Sequence, residues 1–449
     1  MSEETKNGKT VEVVQRRLSL FDSWSLVVGI IVGAGIFTTS PYIAQNTPTL
    51  SILIGLWVAG GIISIMGALC YAELGTTYPQ ACGDYHYLTK AYGSWAGFLF
   101  GWLQTVIARP GDITLMAIIF ATYAAPLVGG DDLAQIGLAV GAVVLLTTIN
   151  ILGVQFGKTT QNVLTTLKVV GLIVVFGVAV AFGQDTNVAK LAWDPEKFDL
   201  GLAMILILFA FGGWNEMAYV VAEVKDPARN ISRSLIGGLL FVTLLYVLVN
   251  ISFITVLGHR GLAESAEVGR DVISGAMPRY GPALMSGLIM IAALGSLNGL
   301  IFAGSRITYA VGRDYPVFAI LGKWNSRTGT PIRALVLQGL LACILITVLR
   351  SFTKTLLYTA APVYCFYMAT SLSVLVLRRK DPTAKRPFKL PGYPFVPVLF
   401  ATSCVYFIYR ALLFKPIIDS SKFGYIGPAG IALLILAAGI PIYFLARRK

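Results

Sequence analysis

Charged side chains are scarce in this sequence of 449 residues, of which Asp, Glu, Lys and Arg make up only 13%. Soluble globular domains carry roughly 25% charged residues, so about half of the usual solvating surface is missing. Apolar side chains reach 56% and the mean hydropathy is +0.74. This composition excludes a disordered chain, a collagen-like chain and an ordinary soluble domain.

Histidine and cysteine, which are common metal ligands, are scarce as well. Cysteine is also the residue that forms disulfide bonds. The two histidines, His86 and His259, are far apart in the sequence. The five cysteines are scattered, mostly inside apolar runs and without metal-binding spacing: Cys70, Cys82, Cys343, Cys365 and Cys404. No nucleophile–base set or phosphate-binding loop is evident. We therefore expect a protein that is not an enzyme and that holds no metal and no cofactor.

Long apolar runs dominate the sequence instead. Runs of about 20 nearly uncharged residues are long enough to cross a bilayer as helices. They are continuous rather than alternating with a period of two, which argues against a β-barrel. Polar breaks, prolines and glycines separate twelve such segments, near residues 20–46, 51–78, 93–123, 134–153, 160–183, 199–224, 232–257, 282–312, 332–350, 353–377, 396–415 and 424–446. The sequence therefore predicts an all-α polytopic membrane protein with twelve transmembrane helices.

Basic residues are distributed unevenly between the alternate sides of these segments. The side that carries both termini holds 23 Lys and Arg and the other side holds 10, while Arg109 and Lys168 fall inside spans. Cytoplasmic loops carry the excess of basic residues, so both termini are predicted to be cytoplasmic. This distribution explains the net charge of +13 without binding of nucleic acid. The basic run at 378–389 is interpreted as an anchor that faces anionic lipid. Residues 1–17 are polar and unlike a signal peptide, so the first span is expected to direct insertion.

Two of the predicted spans are interrupted by glycine in the same way. Gly33-Ala34-Gly35 interrupts the first span, and Phe211-Gly212-Gly213-Trp214-Asn215 interrupts the sixth. Spans that are five apart run in opposite directions, and such pairs of interrupted segments mark the binding sites of secondary transporters. The pattern predicts two inverted five-helix repeats at 20–183 and 199–377, then two helices at 396–446, with tails at 1–19 and 447–449.

An interruption in the middle of the membrane exposes backbone groups that must line a cavity or meet a ligand. The half-helix that begins near Ile36 offers free N–H groups, which suit a carboxylate. The half-helices that end near Val32 and Ala210 offer free carbonyls, which suit an ammonium group. A free amino acid carries both charges. The alternative is that these glycines only let helices pack closely. A nucleotide site is excluded, because no βαβ unit and no P-loop lysine accompany the glycines.

Several motifs resemble those of amino acid–polyamine–organocation transporters, and most of all the L-type amino acid transporter branch with its bacterial homologues, over residues 16–395. The motifs are Gly29-Ile30-Ile31-Val32-Gly33-Ala34-Gly35-Ile36-Phe37, Cys70-Tyr71-Ala72-Glu73-Leu74-Gly75-Thr76-Thr77-Tyr78-Pro79, Phe209-Ala210-Phe211-Gly212-Gly213-Trp214-Asn215, Glu223-Val224-Lys225-Asp226-Pro227-Ala228-Arg229-Asn230-Ile231 and Gly295-Ser296-Leu297-Asn298-Gly299 with Ser305-Arg306. The resemblance implies the LeuT-like fold of two inverted five-helix repeats, with helices 1 and 6 discontinuous, and amino-acid transport by alternating access.

The same resemblance implies a set of substrate contacts. The substrate carboxylate should meet the amides of Ala34 and Gly35 beside Ile36, although many relatives have serine in place of Ala34. The amino group should meet carbonyls of the interrupted helices, namely those of Ile31, Phe209 and Gly212. The Phe209 ring is implied to be an aromatic gate. The side chains expected to shape the pocket are uncharged, which favours neutral L-amino acids: Phe209, Phe211, Trp214, Asn215, Ser296 and Tyr364.

Lys168 lies in an otherwise apolar fifth span, about 12 Å along the helix from Thr160 at 1.5 Å per residue. A lysine stem that reaches roughly 6 Å leaves the ammonium short of the interface, so snorkelling is the weaker explanation. The resemblance implies that a lysine at this place substitutes for a sodium ion and links the first and fifth spans. Sodium-independent transport follows, and proton coupling stays open.

Further charges lie within or near the spans. Arg109 and Asp112 are three residues apart on the third span and are expected to pair, either for function or as a structural clamp. Glu73, Glu216 and Glu223 are expected to bind Arg or Lys from inner loops as gate contacts.

These inferences predict a plasma-membrane exchanger of neutral L-amino acids that works as a monomer in the lipid bilayer. A proton-coupled carrier of cationic amino acids or polyamines, with Asp112 or Glu216 as counter-charge, is one alternative. A membrane sensor that binds an amino acid without moving it is another. Animal relatives pair with a glycoprotein heavy chain through a cysteine after span 3. Because residues 124–133 contain no cysteine, no disulfide-linked heavy chain is expected here.

Overall fold

The computed structural model describes residues 4–6, 9–11, 15–182, 198–274, 277, 279–349, 352–413 and 428–447. Two short strands near the N-terminus, β1 (Glu4–Lys6) and β2 (Lys9–Val11), pair as an antiparallel hairpin with Thr5 opposite Thr10. The remaining regular structure of these residues is helical.

The helices follow the predicted hydrophobic segments closely. Up to residue 182 they are α1 (Leu20–Ile31), α2 (Gly35–Gln45), α3 (Leu50–Thr77), α4 (Gly83–Tyr92), α5 (Ser94–Leu103), α6 (Arg109–Ala124), α7 (Asp132–Leu152) and α8 (Val154–Phe182). From residue 200 they are α9 (Leu200–Ala210), α10 (Pro227–Glu264), α11 (Val268–Ser274), α12 (Gly281–Asp314), α13 (Ile332–Leu349), α14 (Phe352–Lys380), α15 (Phe395–Leu413) and α16 (Pro428–Arg447). A π-helical turn (Gln104–Ala108) joins α5 to α6, and 3-10 helices occupy Ala125–Val128, Trp214–Glu223 and Pro316–Phe318.

Seven helical stretches in the described part of the chain are long and apolar enough to span a membrane, and the bent pair α1–α2 makes eight. The helices α13 to α16 coincide with the last four predicted segments. The prediction of a polytopic all-α membrane fold is therefore confirmed, while the count of twelve spans and the inverted repeat stay predictions.

Short polar side chains mark where several spans begin. Ser19 and Asp22 form a capping box before α1, in which the Ser19 amide donates to the Asp22 carboxylate at 2.8 Å. The side chains of Thr49, Asp131 and Asp199 accept first-turn amides of α3, α7 and α9. Each cap satisfies an N–H group that the helix itself leaves unpaired. The face of the bundle at which α1 begins is called the N-terminal face below.

Two helices and one kink were not predicted. The short helices α4 and α11 follow α3 and α10, and they precede α5 and α12 respectively. α10 runs to Glu264, past the predicted end at 257, because Gly258 adopts a φ of 69° and lets the helix turn and continue. That φ is one that glycine adopts without steric cost.

Helix α12 forms the centre of the bundle. All of its residues from Gly295 to Gly312 are buried, and it packs against α1, α6, α8 and the 3-10 helix Trp214–Glu223. By contrast, α8 exposes large apolar side chains such as Phe156, Val163 and Ile173 on its outer face. An outer apolar surface around a buried centre is typical of a helical bundle in lipid. The two interrupted helices therefore lie beside the most buried part of the molecule.

Candidate functional site

The first interruption separates α1 from α2 and bends the chain by 45°. After Ile31, Val32 leaves the helical conformation, and the Gly33 amide turns back to the Ile31 carbonyl at 2.7 Å. Helix α2 begins without a side-chain cap. The amides of Ala34, Gly35 and Ile36 have no acceptor among the residues that the structure describes. The first amides of any helix lack an acceptor within the helix.

The second interruption follows α9. The Gly212 amide folds back onto the Phe209 carbonyl at 2.9 Å, and Gly213 has a φ of 103°. Glycine populates this region readily, whereas other residues avoid it. The chain then continues as the ten-residue 3-10 helix Trp214–Glu223 rather than as an α-helix. Runs of 3-10 helix rarely exceed four residues, so this segment is an unusual one.

The two interruptions face each other. A Cβ atom placed on Gly35 would lie 3.7 Å from the Ala210 Cα and 4.0 Å from the Phe209 ring, which is ordinary contact. A Cβ atom on Gly213 would lie 2.5 Å from the Ile30 side chain, which is too close. Close packing therefore accounts for glycine at 213 but not at 35. Gly35 and Phe209 are also partly exposed, so the point where the α2 amides face the end of α9 is not fully packed.

Tyr246 of α10 ties the two interruptions together. Its buried hydroxyl lies 2.7 Å from the Ile31 carbonyl oxygen and 3.1 Å from the Ala210 carbonyl oxygen. The Ile31 carbonyl thus accepts from both Tyr246 and Gly33 in this conformation. The predicted role of Ile31 in binding an ammonium group then requires one of these donors to leave. Sequence reasoning missed Tyr246, because a single tyrosine in an apolar span carries no motif.

We predict that Tyr246→Phe lowers the rate of substrate uptake about tenfold. The ring keeps its packing, but the single hydroxyl proton between the Ile31 and Ala210 carbonyls is lost, and a buried carbonyl left without a donor costs about 1–3 kcal/mol. Uptake by purified protein in liposomes and thermal unfolding are the measurements. Tyr92→Phe is the matched control, since the Tyr92 hydroxyl donates to the Ala369 carbonyl at 2.9 Å away from the interruptions. Equal uptake by the two variants would contradict a bridging role.

Lys168 of α8 supports the end of α1 from the other side. Its ammonium is fully buried and donates to the carbonyls of Gly29 at 2.7 Å, Val32 at 2.9 Å and Ala292 at 3.0 Å. A Cβ atom on Gly295 would lie 2.6 Å from this ammonium, so glycine at 295 leaves room for it. Snorkelling is excluded, because the side chain bridges α1 and α12 inside the bundle.

Ser296 and Phe211, which the sequence placed in the pocket, take up supporting positions. The Ser296 hydroxyl donates to the Ile30 carbonyl at 2.9 Å. The Phe211 ring is fully buried and packs against the rings of Trp57 and Tyr246, with centroids 6.0 and 5.2 Å away. These residues hold the interrupted helices in place, whereas the Phe209 ring is the one beside Gly35.

Trp214 and Asn215 are buried against α14. The Trp214 and Tyr367 ring centroids are 5.6 Å apart, and the Tyr367 hydroxyl donates to the Asn215 side-chain oxygen at 2.8 Å. The Asn215 amide donates in turn to the Tyr219 hydroxyl at 2.7 Å. Tyr364 is partly buried one turn earlier on α14, with its ring 5.8 Å from that of Tyr367. The start of the 3-10 helix is thus fixed to α14 by aromatic packing and hydrogen bonds.

Arg109 has a different principal partner from the one predicted. Its guanidinium lies 3.0 Å from the Glu216 carboxylate but 4.0 Å from that of Asp112, too far for a hydrogen bond. The π-helical turn before α6 explains the difference, because the Arg109 amide bonds to the Gln104 carbonyl five residues back. This turn carries the extra residue of a π-bulge and rotates Arg109 toward the 3-10 helix.

The glutamates of the 3-10 helix reach two different helices. Glu223 binds Arg306 of α12 through two hydrogen bonds of 2.8 and 3.0 Å, while Glu216 binds Arg109 of α6. Side chains seven positions apart point about 120° apart in a 3-10 helix but share a face in an α-helix. Both glutamates were expected to pair with loop residues, and both instead pair with arginines inside the bundle.

The basic run at 378–389 does not serve only as a lipid anchor. Arg378 donates to the Glu73 carboxylate at 2.8 Å, and Arg386 lies 3.5 Å from it. Lys90 donates to Asp381 at 2.8 Å, and this hydrogen bond lowers the pKa of the Asp381 carboxyl. The run therefore folds back onto α3 and α4, and Glu73 pairs with Arg386 of the loop, as expected, and with Arg378 at the end of α14. The basic side chains that stay exposed are Arg379, Lys380, Lys385 and Lys389, of which Lys380 donates to the Ala91 carbonyl at 2.8 Å.

The N-terminal face is closed in this conformation. The Leu18 amide donates to the Glu223 carbonyl and the Lys225 amide donates to the Leu18 carbonyl, both at 2.8 Å. This pairing joins the start of the first interrupted helix to the end of the second. The 3-10 helix between the interruptions and this face is almost entirely buried. Among the described residues, these contacts bury the chain between the two interruptions and the N-terminal face.

Ligands for a metal are not gathered anywhere in the described part of the chain. No group of three or more His, Cys, Asp or Glu side chains among these residues is arranged to hold an ion. All five cysteines are free.

A membrane-spanning helical bundle in which two interrupted helices face each other beside a closed face is the architecture of a secondary transporter. The sequence profile of the family described as Amino acid permease matches residues 18–439. The chain belongs to this family, within the amino acid–polyamine–organocation superfamily, as the motifs predicted. It is a transporter family rather than an enzyme family.

Individual relatives match over nearly the whole chain. The chain is 30% identical to the b(0,+)-type amino acid transporter 1 of Homo sapiens, over 98% of this chain and 90% of that protein. It is 29% identical to the Large neutral amino acids transporter small subunit 2 of Oryctolagus cuniculus, over 98% of this chain and 82% of that protein. The interrupted helices thus belong to the segment that these proteins share.

Proposed function

We propose that this chain is a sodium-independent exchanger of L-amino acids, mainly neutral ones, that works by alternating access. The observation that carries the proposal is the facing pair of interruptions, in which a Cβ position on Gly35 lies 3.7 Å from the Ala210 Cα. Its relatives are named as amino acid transporters, which supports the substrate class.

The proposed binding mode uses the backbone. The substrate carboxylate accepts from the unpaired amides of Ala34, Gly35 and Ile36, where the helix dipole of α2 adds a favourable field. The amino group donates to carbonyls at the end of α9, at Phe209 and Gly212, and the Phe209 ring closes over the bound molecule. The backbone recognises the carboxylate and amino group that all amino acids share. Other residues of the pocket therefore contact the substrate side chain and set the specificity.

Lys168 accounts for the proposed independence from sodium. Three carbonyls at 2.7 to 3.0 Å would form part of the oxygen shell of a bound cation, and here they surround an ammonium instead. A covalently attached cation holds α1 in shape without a co-transported ion. Exchange of one amino acid for another then needs no ion gradient.

The proposed gate on the N-terminal face consists of three ion pairs. Glu223–Arg306 and Glu216–Arg109 hold the 3-10 helix at two points, and Glu73–Arg378 closes the outer layer. Opening to this face requires the 3-10 helix to leave both arginines, whereas the half-helices α2 and α9 move to close the opposite face. Alternation of these two movements carries the substrate across.

We further propose twelve spans in two inverted repeats, with 20–183 and 199–377 as the repeats and 396–446 as the added pair. A short helix follows the second span in each half, α4 in one and α11 in the other, which supports the repeat. The N-terminal face is assigned to the cytoplasm and the bilayer to the plasma membrane. The protein is proposed to act as a monomer without a disulfide-linked heavy chain, because residues 124–133 contain no cysteine.

Counterflow with purified protein tests this function. Liposomes loaded with unlabelled alanine should accumulate labelled alanine at the same rate with sodium or choline outside, and with or without a pH gradient. Uptake that requires sodium would contradict the proposed role of Lys168. Uptake into empty liposomes that is driven by a proton gradient would indicate symport instead of exchange. Binding of alanine without counterflow would identify a sensor.

A further inference from the structure

Asp84 is a fully buried carboxylate on the short helix α4, which lies outside the predicted spans at the N-terminal face. One of its oxygens accepts from the Tyr71 hydroxyl of α3 and from the Thr370 hydroxyl of α14, the latter at 2.5 Å. The Tyr219 hydroxyl of the 3-10 helix faces the same carboxylate. The other Asp84 oxygen has no hydrogen-bond partner among the described residues. A single carboxylate thus meets three other elements and keeps one oxygen free.

The start of α4 packs closely against the 3-10 helix. The Cys82 amide donates to the Tyr219 carbonyl at 3.1 Å, and a Cβ atom on Gly83 would lie 2.5 Å from the 3-10 helix. The Tyr219 hydroxyl accepts from the Asn215 amide at 2.7 Å, next to the second interruption. A hydroxyl oxygen can accept a second hydrogen bond, so a proton on the free oxygen of Asp84 can be shared with Tyr219. Any movement of the 3-10 helix that opens the N-terminal face must therefore separate it from α4 and Asp84.

No cation meets Asp84 in the described part of the chain. The titratable groups that face it are four hydroxyls and one carboxylate, those of Tyr71, Tyr87, Tyr219, Tyr367 and Glu216. The charged groups on α4 and on the elements packed against it form pairs of their own: Glu73 with Arg378, Glu216 with Arg109, Glu223 with Arg306, and Lys90 with Asp381. Helix α5 has no titratable side chain. A buried carboxylate without a cation is costly in its charged form, and binding a proton removes that cost.

We infer that Asp84 is a proton-binding site that controls opening of the N-terminal face: its neutral carboxyl holds the 3-10 helix closed, and loss of the proton favours release of that helix. The inference rests on the proposed function, in which the 3-10 helix is the moving gate. In the closed form the carboxyl is shut off from water. Opening lets water reach it, and water stabilises the charged form, so the open form binds the proton more weakly. Acid at this face therefore favours the closed form.

The pKa of this carboxyl sets the pH range of the effect. Burial raises the pKa of Asp84 to about 6 from an ordinary value of 3.8, although three hydroxyls oppose the rise. A group whose pKa is higher in the closed form stabilises that form as the pH falls. Because opening brings the pKa back towards its ordinary value, the opening equilibrium should fall about tenfold from pH 7.5 to pH 5.0. Burial and the nearby Lys90 lower the pKa of His86, also on α4, to about 4, so His86 stays neutral in this range.

Hydrogen exchange of the 214–223 amides, read by mass spectrometry on the purified full-length protein, reports opening of the 3-10 helix. Asp84→Asn keeps the shape of the carboxyl but has no proton to lose. The ratio of wild-type to Asp84→Asn exchange rates at one pH cancels the intrinsic pH dependence of exchange. This ratio should fall about tenfold from pH 7.5 to pH 5.0. Asp314→Asn is the matched control, since Asp314 accepts from the Tyr85 hydroxyl of α4 at 2.9 Å, and its ratio should not change with pH.

Thr370→Val keeps the inference testable if Asp84→Asn does not fold. The valine removes a hydroxyl that favours the charged form of Asp84, so the pKa of the carboxyl should rise further. Hydrogen exchange of the 214–223 amides should then begin to slow at a higher pH than in the wild type. An onset at the same pH in both proteins would contradict the inference.

Three further outcomes overturn the inference or what it rests on. A ratio of wild-type to Asp84→Asn exchange rates that stays constant from pH 7.5 to pH 5.0 would assign any pH response to another group, such as Glu216. An equal change of the ratio in Asp314→Asn would show that no single carboxyl beside α4 controls the opening. The expected ratio in a protein that shows no alanine counterflow would leave the proton site in place and overturn the proposed function.

Discussion

Gly35→Leu should reduce uptake by about two orders of magnitude. A leucine at 35 fills the space in front of the α2 amides, where the nearest atoms to a Cβ belong to Ala210 and Phe209 at 3.7 to 4.0 Å. The substrate carboxylate then loses at least two charge-assisted hydrogen bonds, each worth about 1.5–3 kcal/mol, and each 1.4 kcal/mol is tenfold. Initial rates of alanine counterflow by purified variants measure the effect.

Two further substitutions separate this effect from damage to the fold. Gly35→Ala adds only a methyl group at contact distance, so the protein should fold normally and retain part of its uptake. Gly55→Leu adds the same side chain to an exposed position of α3 that has no atom within 4 Å, and it should transport like the wild type. Wild-type rates in Gly35→Leu would contradict the placement of the carboxylate.

Lys168→Met should also abolish measurable exchange and lower the thermal stability. Methionine matches the length of the lysine stem, but three buried carbonyls lose a charged donor, and a hydrogen bond from a charged group contributes about 1.5–3 kcal/mol. The end of α1 then has no fixed shape, so the amides of α2 are no longer held in place. Alanine counterflow and the melting temperature in detergent are the two measurements.

Gly295→Ala keeps this prediction testable if Lys168→Met does not fold. The added methyl group would lie 2.6 Å from the lysine ammonium and must displace it, so exchange should fall while most of the fold is preserved. Lys385→Met, at an exposed position outside the bundle, is the control and should leave exchange unchanged. Full activity in both Lys168→Met and Gly295→Ala would show that the ammonium is not needed.

Features that depend on local sequence were predictable. The interruption at Gly33 and Gly35 was visible because glycine in a long apolar run is a local signal, and the helix ends at Ile31 and Ala210 lie within one residue of the expected positions. The opposite polarity of the half-helix ends follows from helix geometry alone. That is why the chemistry of the site could be stated before its geometry.

Features that depend on contacts between distant segments were not predictable. Arg109 bonds to Glu216 because a π-helical turn rotates it, and such a turn leaves no composition signal. The loop after α14 returns to Glu73, more than 300 residues away in sequence, so its basic residues resembled a simple lipid anchor. Tyr246 gained its role only from the place where α10 crosses both interruptions.

An experimental structure with a bound neutral amino acid tests the central claim most directly. The account predicts the substrate carboxylate about 2.7–3.2 Å from the amides at Ala34, Gly35 and Ile36, with the ammonium at the carbonyl end of α9. Density for the amino acid anywhere else, or a first span that is continuous through Gly33 when the substrate is bound, would contradict it.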